Sequence, residues 1–313
     1  MSNGSFPPTP RRLGGTLVIV LAVLAPVCFA GWLVWRSLDE DDTEAVGDKP
    51  AAATVTPSSP SPAGGAPREK PADSKPGQSP ERTPDGGRAL RGKVVVIDPG
   101  HNPRNRDHTA AIARTVDVGT HRKECDTTGT ETNAGYAEAT FTLDVSRRVR
   151  ALLTERGATV RLTQDDDRPY GPCVDERAAI GNEARADAAV SVHADGAGPG
   201  QRGFHVILPA SVRDGGADTS AITGPSRHLG ERLVHGFSTA TGTVPANYLG
   251  GGEGLTVRDD LGGLNLSTVP KVFIECGNMR DSKDAALLTD GRWRQRAARG
   301  IADGITDFLR GTR

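Results

Sequence analysis

The chain has 313 residues, and its 38 lysine and arginine side chains nearly balance its 39 aspartate and glutamate side chains, leaving a net charge of -1. A near-neutral chain gives no electrostatic reason to expect nucleic acid as a partner, since binding to nucleic acid draws much of its affinity from positive charge. Hydrophobic residues make up 36% of the chain and are unevenly spread. Their distribution predicts an N-terminal anchor, a linker and one folded domain.

The predicted anchor is the uncharged segment TLVIVLAVLAPVCFAGWLVW, residues 16–35. As a helix it would be about 30 Å long, which is the thickness of the apolar part of a bilayer. Arg11 and Arg12 precede it and an acidic segment, residues 39–42, follows it. Because positively charged flanks stay in the cytoplasm, residues 1–15 are predicted to form a cytoplasmic tail and the rest of the chain to lie outside.

A cleaved signal peptide is the alternative for this segment. Signal peptides have an apolar core of about 7 to 15 residues that ends in a small-residue cleavage site. Here residues 28–30 form only a partial site, and bulky residues follow them. Cys28 also raises the possibility of a lipid anchor, but valine precedes it where a small residue is expected. We therefore expect a retained transmembrane helix, with secretion after cleavage as the alternative.

Residues 36–91, above all from Asp42 onward, consist mainly of Pro, Ala, Ser, Gly, Thr and charged residues. Such a segment buries too little apolar surface to offset the entropy lost on ordering, so it is predicted to be a disordered linker. Residues 92–313 remain, enough for one domain with a sizeable core.

Short apolar runs alternate with helical periodicities in residues 92–313. Strands are predicted at residues 93–98, 159–163, 188–196, 203–209 and 271–278. Helices are predicted at residues 141–157, 175–186, 226–240 and 291–311. This alternation predicts an α/β fold: a single three-layer domain with a mostly parallel or mixed twisted sheet flanked by helices.

Three of the predicted strands end in a group that can bind a metal or move a proton. They lead to His101, His193 and Glu275. If these strands are parallel neighbours, the three side chains reach the same edge of the sheet, where ligands bind in such folds. Two imidazoles need one further protein ligand to hold a zinc ion that keeps a position open for water.

A carboxylate near the start of the first helix is the natural third ligand, and the candidates are Glu124, Glu131 and Glu138. Glu138 is best placed, because it directly precedes the periodic helix, whereas the other two lie in a loop rich in Gly and Thr. One zinc ion is therefore predicted on His101, Glu138 and His193.

Together with Glu138, the motifs VVIDPGH (95–101), SVHADG (191–196) and VFIECGN (272–278) resemble the zinc-dependent N-acetylmuramoyl-L-alanine amidases of the amidase type 3 family. The resemblance covers about residues 93–310. It implies the same zinc ligands, with Glu275 as the catalytic carboxylate that takes a proton from a zinc-activated water and returns it to the leaving nitrogen.

The same resemblance implies that the substrate is the peptidoglycan amide joining N-acetylmuramic acid to L-alanine. With the predicted anchor, it places the protein in a bacterial cell membrane, with its catalytic domain in the cell-wall space. A monomer is the default expectation. Two other functions stay open: a zinc carboxypeptidase acting on stem peptides, and a catalytically silent wall-binding domain.

Two cysteines are expected to pair. Cys125 and Cys173 both lie in predicted loops, and an exported protein permits a disulfide between them. Cys276 follows Glu275 in the last strand and is expected to be a buried hydrophobic residue, with a metal ligand as the alternative.

Substrate contacts are predicted for three further residues. Arg177 and Arg258 are candidates for the carboxylates of the stem peptide, since a guanidinium can form two parallel hydrogen bonds to a carboxylate. Asn265 is a candidate for hydrogen bonds to the peptide backbone. These three assignments depend on position and on the resemblance.

Overall fold

The computed structural model describes residues 89–311. None of the helices in that range is both long enough and apolar enough to cross a membrane. The predicted cytoplasmic tail, the predicted anchor at residues 16–35 and nearly all of the predicted linker lie outside the described residues. Leu90, near the end of that linker, is buried in the core.

Ten strands occur in the described part of the chain. They are β1 (Val94–Pro99), β2 (Thr115–Asp117), β3 (Arg122–Glu124), β4 (Thr159–Leu162), β5 (Ala188–Asp195), β6 (His205–Pro209), β7 (Arg213–Asp214), β8 (Ala217–Asp218), β9 (Leu255–Arg258) and β10 (Lys271–Asn278). Six of them form one sheet in the order β4-β1-β5-β10-β6-β9. The first four of these are mutually parallel, and β6 and β9 run in the opposite direction.

Seven α-helices accompany these strands within residues 89–311. They are α1 (Thr109–Ile112), α2 (Glu138–Glu155), α3 (Val174–Glu183), α4 (Thr223–Thr241), α5 (Gly262–Asn265), α6 (Ser282–Thr289) and α7 (Gly291–Arg310). Helices α2, α4 and α7 contribute to the large core on one face of the sheet, while α3 and α5 lie on the other face. The predicted α/β domain with a mixed sheet flanked by helices is confirmed.

Strand β1 is covered on both faces of the sheet, which explains its run of apolar residues. Val95 and Ile97 pack into the large core, which also includes Phe141 of α2. Val96 points to the opposite face and packs in a smaller cluster with Ala189. Successive side chains of a strand alternate between faces, so a strand covered on both sides needs apolar residues at every position.

The five predicted strands and four predicted helices are all present, with ends shifted by a few residues. The shift that matters for function is in α2, which begins at Glu138 instead of residue 141. Glu138 is therefore part of the helix. The sequence did not predict the edge strand β9, the short helices or the two small hairpins.

Candidate metal centre and active site

The parallel strands β1, β5 and β10 are neighbours, and each brings one predicted site residue to the same edge of the sheet. His193 lies in β5, directly beside Glu275 of β10. His101 follows the end of β1, which pairs with β5 on its other side. The strand order therefore places the three strands side by side, and all three residues line one cavity.

A tight turn after β1 delivers His101 to this edge. His101 has a φ of 63°, in the left-handed region that residues other than glycine rarely adopt. The side chain of Thr142 donates to the carbonyl of Gly100 at 2.6 Å, and Gln164 donates to the carbonyl of His101 at 3.0 Å. A Cβ atom at position 100 would collide with the imidazole of His193. The glycine therefore lets the turn pass close against the second histidine.

Glu138, the first residue of α2, lies between the two histidines. Its Oε2 is 3.3 Å from Nε2 of His101, and its Oε1 is 2.9 Å from Nδ1 of His193. The backbone amide of Thr130 also donates to Oε2. Burial alone would raise the pKa of Glu138, but the charge of His101 and hydrogen bonds from both imidazoles hold that pKa well below its usual range.

These three residues fit a zinc ion. One donor atom from each of His101, Glu138 and His193 lies within 4.8 Å of the others, and two imidazoles with one carboxylate are an established donor set for catalytic zinc. In a tetrahedral site with bonds of about 2 Å, neighbouring donors are about 3.3 Å apart. The separations from Glu138 to the imidazoles are close to this value.

A buried carboxylate orients the first of these histidines. Nδ1 of His101 is 3.2 Å from Oδ1 of Asp126 and 3.1 Å from the carbonyl of Thr127. With Nδ1 occupied, Nε2 is left to face Glu138. Such carboxylate-histidine pairs fix the tautomer and ring orientation of metal ligands.

Arg177 holds this carboxylate in place. Its guanidinium donates to Asp126 at 2.8 Å, to Asp98 at 2.6 Å and to the carbonyls of Pro99 and Pro172. Arg177 is only 5% exposed. Its donors are thus used within the protein, and the structure does not support the predicted contact to a stem-peptide carboxylate. Arg177 acts on the site through Asp126.

The buried charges around Arg177 compensate one another. Asp98 also lies 3.5 Å from Nζ of Lys271, and it accepts hydrogen bonds from Thr163 and Ser191. Two buried acids, Asp98 and Asp126, are therefore balanced by two buried bases, Arg177 and Lys271. Burial would raise the pKa of both carboxyls, but the positive charge of Arg177 holds them well below the usual range.

The predicted disulfide between Cys125 and Cys173 is confirmed. Cys125 directly precedes Asp126, and Cys173 is the residue before α3, which carries Arg177. The amide of Val174 also donates to the carbonyl of Cys125 at 2.8 Å. The disulfide thus joins the two segments that support His101.

Glu275 lines the same cavity as the three candidate ligands and makes no hydrogen bond to them. Its Oε2 atom is buried and has no hydrogen-bond partner among the described residues. Burial raises the pKa of Glu275, and the nearby carboxylates of Glu138 and Asp195 raise it further. Such an environment favours a carboxyl group that gains and loses a proton.

A cavity of about 480 Å³ opens at this edge of the sheet. The four residues His101, Glu138, His193 and Glu275 line it together with apolar side chains such as Phe273. The ring of Phe273 stacks on that of His193, with centroids 5.1 Å apart.

Of the three predicted substrate contacts, only Arg258 borders the cavity with an exposed charged group. It pairs with Asp260 at 2.7 Å, and Lys123 is 4.0 Å from the same carboxylate. Asn265 is 1% exposed and donates to the carbonyl of Asp259 and to Thr120. It does not line the cavity and instead joins two loops.

Cys276 packs in the large core, as expected for a buried hydrophobic residue.

A family profile described as N-acetylmuramoyl-L-alanine amidase matches residues 95–307. The chain belongs to this amidase family. It is 41% identical over 221 residues to the N-acetylmuramoyl-L-alanine amidase Rv3717 of Mycobacterium tuberculosis, a match that covers 70% of this chain and 88% of that protein. The resemblance recognised in the sequence motifs is therefore confirmed.

Solved amidase structures share the fold. The amidase Ami1 of Mycobacterium smegmatis has 41% sequence identity and a TM-score of 0.66, covering 72% of this chain and 99% of that one. The apo form of Ami1 from Mycobacterium abscessus has 38% identity and a TM-score of 0.65, covering 70% and 100%.

Sequence reasoning missed Asp126, which supports His101. One signal could have found it. Asp126 adjoins Cys125, and the predicted disulfide partner Cys173 lies four positions before Arg177. The predicted Cys125–Cys173 disulfide alone would have placed Asp126 near Arg177, beside the metal centre.

Proposed function

We propose that this amidase hydrolyses the amide between the lactyl group of N-acetylmuramic acid and L-alanine in peptidoglycan, with one zinc ion on His101, Glu138 and His193 and with Glu275 as general base and acid. The supporting observation is the cluster of three donor groups, within 4.8 Å of one another, beside a partly buried carboxylate in a member of the amidase family.

A zinc ion bound at such a site supplies a Lewis acid that polarises a carbonyl and lowers the pKa of water to about 7. The residues of the chain have separate tasks. With the ion bound, His101 and His193 would each offer it a nitrogen lone pair, and Glu138 would offer it a carboxylate oxygen. Asp126 accepts the remaining N–H of His101 and so keeps its ring in one orientation.

Glu275 moves the proton. Its carboxylate accepts a proton from the attacking water as the water oxygen bonds to the lactyl carbonyl carbon. The resulting carboxylic acid then gives that proton to the alanine nitrogen as the C–N bond breaks. The products are the lactyl carboxylic acid, which then ionises in water, and the free amine of L-alanine, so Glu275 ends in the form in which it began. Its raised pKa suits both halves of this cycle.

Arg258 is proposed to bind a carboxylate of the stem peptide. Arg258 and Lys123 both line the cavity, and both lie near one counter-ion, Asp260. Both are cations on the wall of the cavity, and a guanidinium can hold a carboxylate by two parallel hydrogen bonds.

We test the reaction with purified full-length protein, zinc-loaded or stripped with a chelator, and a muramyl-tripeptide as substrate. Mass spectrometry should detect the free tripeptide only with zinc. Release of a single amino acid would instead indicate a carboxypeptidase, and no product at all would indicate a catalytically silent domain.

Two substitutions separate the roles. Glu275→Gln should bind zinc as the wild type does and lose nearly all turnover, because the amide cannot take the proton. His193→Ala should lose both zinc and turnover. A folded Glu275→Gln protein that binds no zinc would contradict this assignment.

We also propose that residues 16–35 anchor the protein in the membrane and that residues 36–91 are a linker, so that the catalytic domain acts in the cell-wall space. N-terminal sequencing of the protein from the producing cells decides between this proposal and a cleaved signal peptide. An intact N-terminus in the membrane fraction is the expected result.

A further inference from the structure

The proposed catalytic carboxylate has a second histidine beside it, on the side away from the metal centre. Glu275 of β10 is directly opposite His205 of the antiparallel strand β6. On its other side it is directly opposite His193 of β5. Directly opposed residues of neighbouring strands project from the same face of a sheet. His193, Glu275 and His205 therefore form one row across three strands.

His205 is buried, with 2% of its surface exposed. Its Nδ1 atom has no hydrogen-bond partner among the described residues, and neither has Oε2 of Glu275. Buried polar atoms without partners are uncommon in proteins because each loses its hydrogen bonds to water. Two such atoms on directly opposed residues can form a hydrogen bond with each other if one side chain turns toward the other.

The two strands are close enough for the side chains of Glu275 and His205 to form a hydrogen bond. Opposed residues on antiparallel strands have Cβ atoms about 4.5 to 5.5 Å apart. Rotation of the flexible Glu275 side chain can close this gap to a hydrogen bond, either directly or through one water molecule. The ring of Tyr248 meets that of His205 edge-on at 6.0 Å, while the hydroxyl of Tyr248 donates to Asp195. The tyrosine hydroxyl therefore has a partner other than His205.

We propose that His205 is a positioning residue that donates a hydrogen bond from Nδ1 to Oε2 of Glu275 and leaves Oε1 to face the substrate. The inference rests on the proposed role of Glu275 as general base and acid. A hydrogen bond to the carboxylate favours its charged form, which must accept the proton from water.

The environment of His205 suits a donor without charge. Burial lowers the pKa of His205 to about 4, with Asp195 acting in the opposite direction and Arg258 in the same direction. At neutral pH the imidazole therefore carries one N–H and one free nitrogen lone pair. It can orient the carboxylate without placing a second positive charge beside the metal centre.

Three substitutions test the inference in the zinc-loaded full-length enzyme. His205→Asn places an amide nitrogen near the position of Nδ1, His205→Gln places one near Nε2, and His205→Phe keeps an aromatic ring without any hydrogen-bonding atom. We expect kcat to fall about 10-fold or more in the Phe and Gln variants, with KM little changed, as for loss of one hydrogen bond to a charged group. The Asn variant should recover to within about 3-fold of the wild type.

Val206→Ala is the matched control. Val206 is the next residue of β6 and packs in the large core on the opposite face. The Val206→Ala substitution should lower the melting temperature and leave kcat unchanged. Zinc content and melting temperature are measured for every variant, so that loss of the fold or of the metal is recognised.

The inference is overturned if the folded Phe variant keeps the kcat of the wild type, or if the Asn variant is as slow as the Gln variant. Failure of the proposed function has a different signature. In that case the wild type releases no tripeptide, or Glu275→Gln remains active.

Discussion

Replacing Asp126 by asparagine tests whether the metal centre depends on residues behind its ligands. Asp126 accepts from Nδ1 of His101 at 3.2 Å and from Nη2 of Arg177 at 2.8 Å. The substitution keeps the size of the side chain and removes its charge. Loss of such a supporting group typically weakens metal binding by about 10- to 100-fold, equivalent to about 1.4 to 2.7 kcal/mol. We expect a change of this size in the zinc dissociation constant, measured by competition with a chelator.

Asp98→Asn is the matched control for this experiment. Asp98 binds the same guanidinium of Arg177 at 2.6 Å but is not a hydrogen-bond partner of His101. Both variants should be less stable than the wild type, since each leaves one buried positive charge in excess. Only Asp126→Asn should lose zinc affinity at a temperature where both remain folded. Equal zinc affinity in the Asp126→Asn variant and the wild type would refute the proposed support of His101.

Three further predictions concern pH, the disulfide and the substrate. Burial lowers the pKa of His205 to about 4, so between about pH 6.5 and 4 the unfolded chain binds more protons than the folded chain. Lowering the pH through this range should therefore lower the free energy of unfolding, by about 2 kcal/mol from this group at pH 5. Urea titrations should show a smaller loss in His205→Phe. The disulfide closes a separation of 48 residues, so the Cys125→Ser/Cys173→Ser double variant should lose about 4 kcal/mol of unfolding free energy, and an unchanged urea midpoint would contradict this. Arg258→Ala should raise KM for a stem peptide with free carboxylates more than for its amidated form; equal changes would argue against the contact.

The main positions of the site could be predicted because they follow local patterns. Apolar runs end at His101, His193 and Glu275, and parallel strands must present such ends at a common edge. Glu138 could be chosen from three glutamates because it adjoins a periodic helix. The alternation of strands and helices likewise predicted the sheet and its flanking layers.

The roles of Arg177 and Asn265 could not be predicted in this way. An arginine on a short helix is usually exposed, and only the distant residues Asp98 and Asp126 make its burial favourable. The role of Asn265 depends on its hydrogen bond to a loop carbonyl, and such carbonyls leave no pattern in the sequence. Strand β9 has four residues at the edge of the sheet, too few for alternation to distinguish it from a loop.

The position of Leu90 has a consequence for how the domain is presented. Leu90 is buried near the beginning of β1, and its amide donates to the carbonyl of Arg156. The site lies beyond the other end of β1, a strand of six residues and so about 20 Å long. The preceding chain therefore joins the domain at the end of the sheet opposite the cavity.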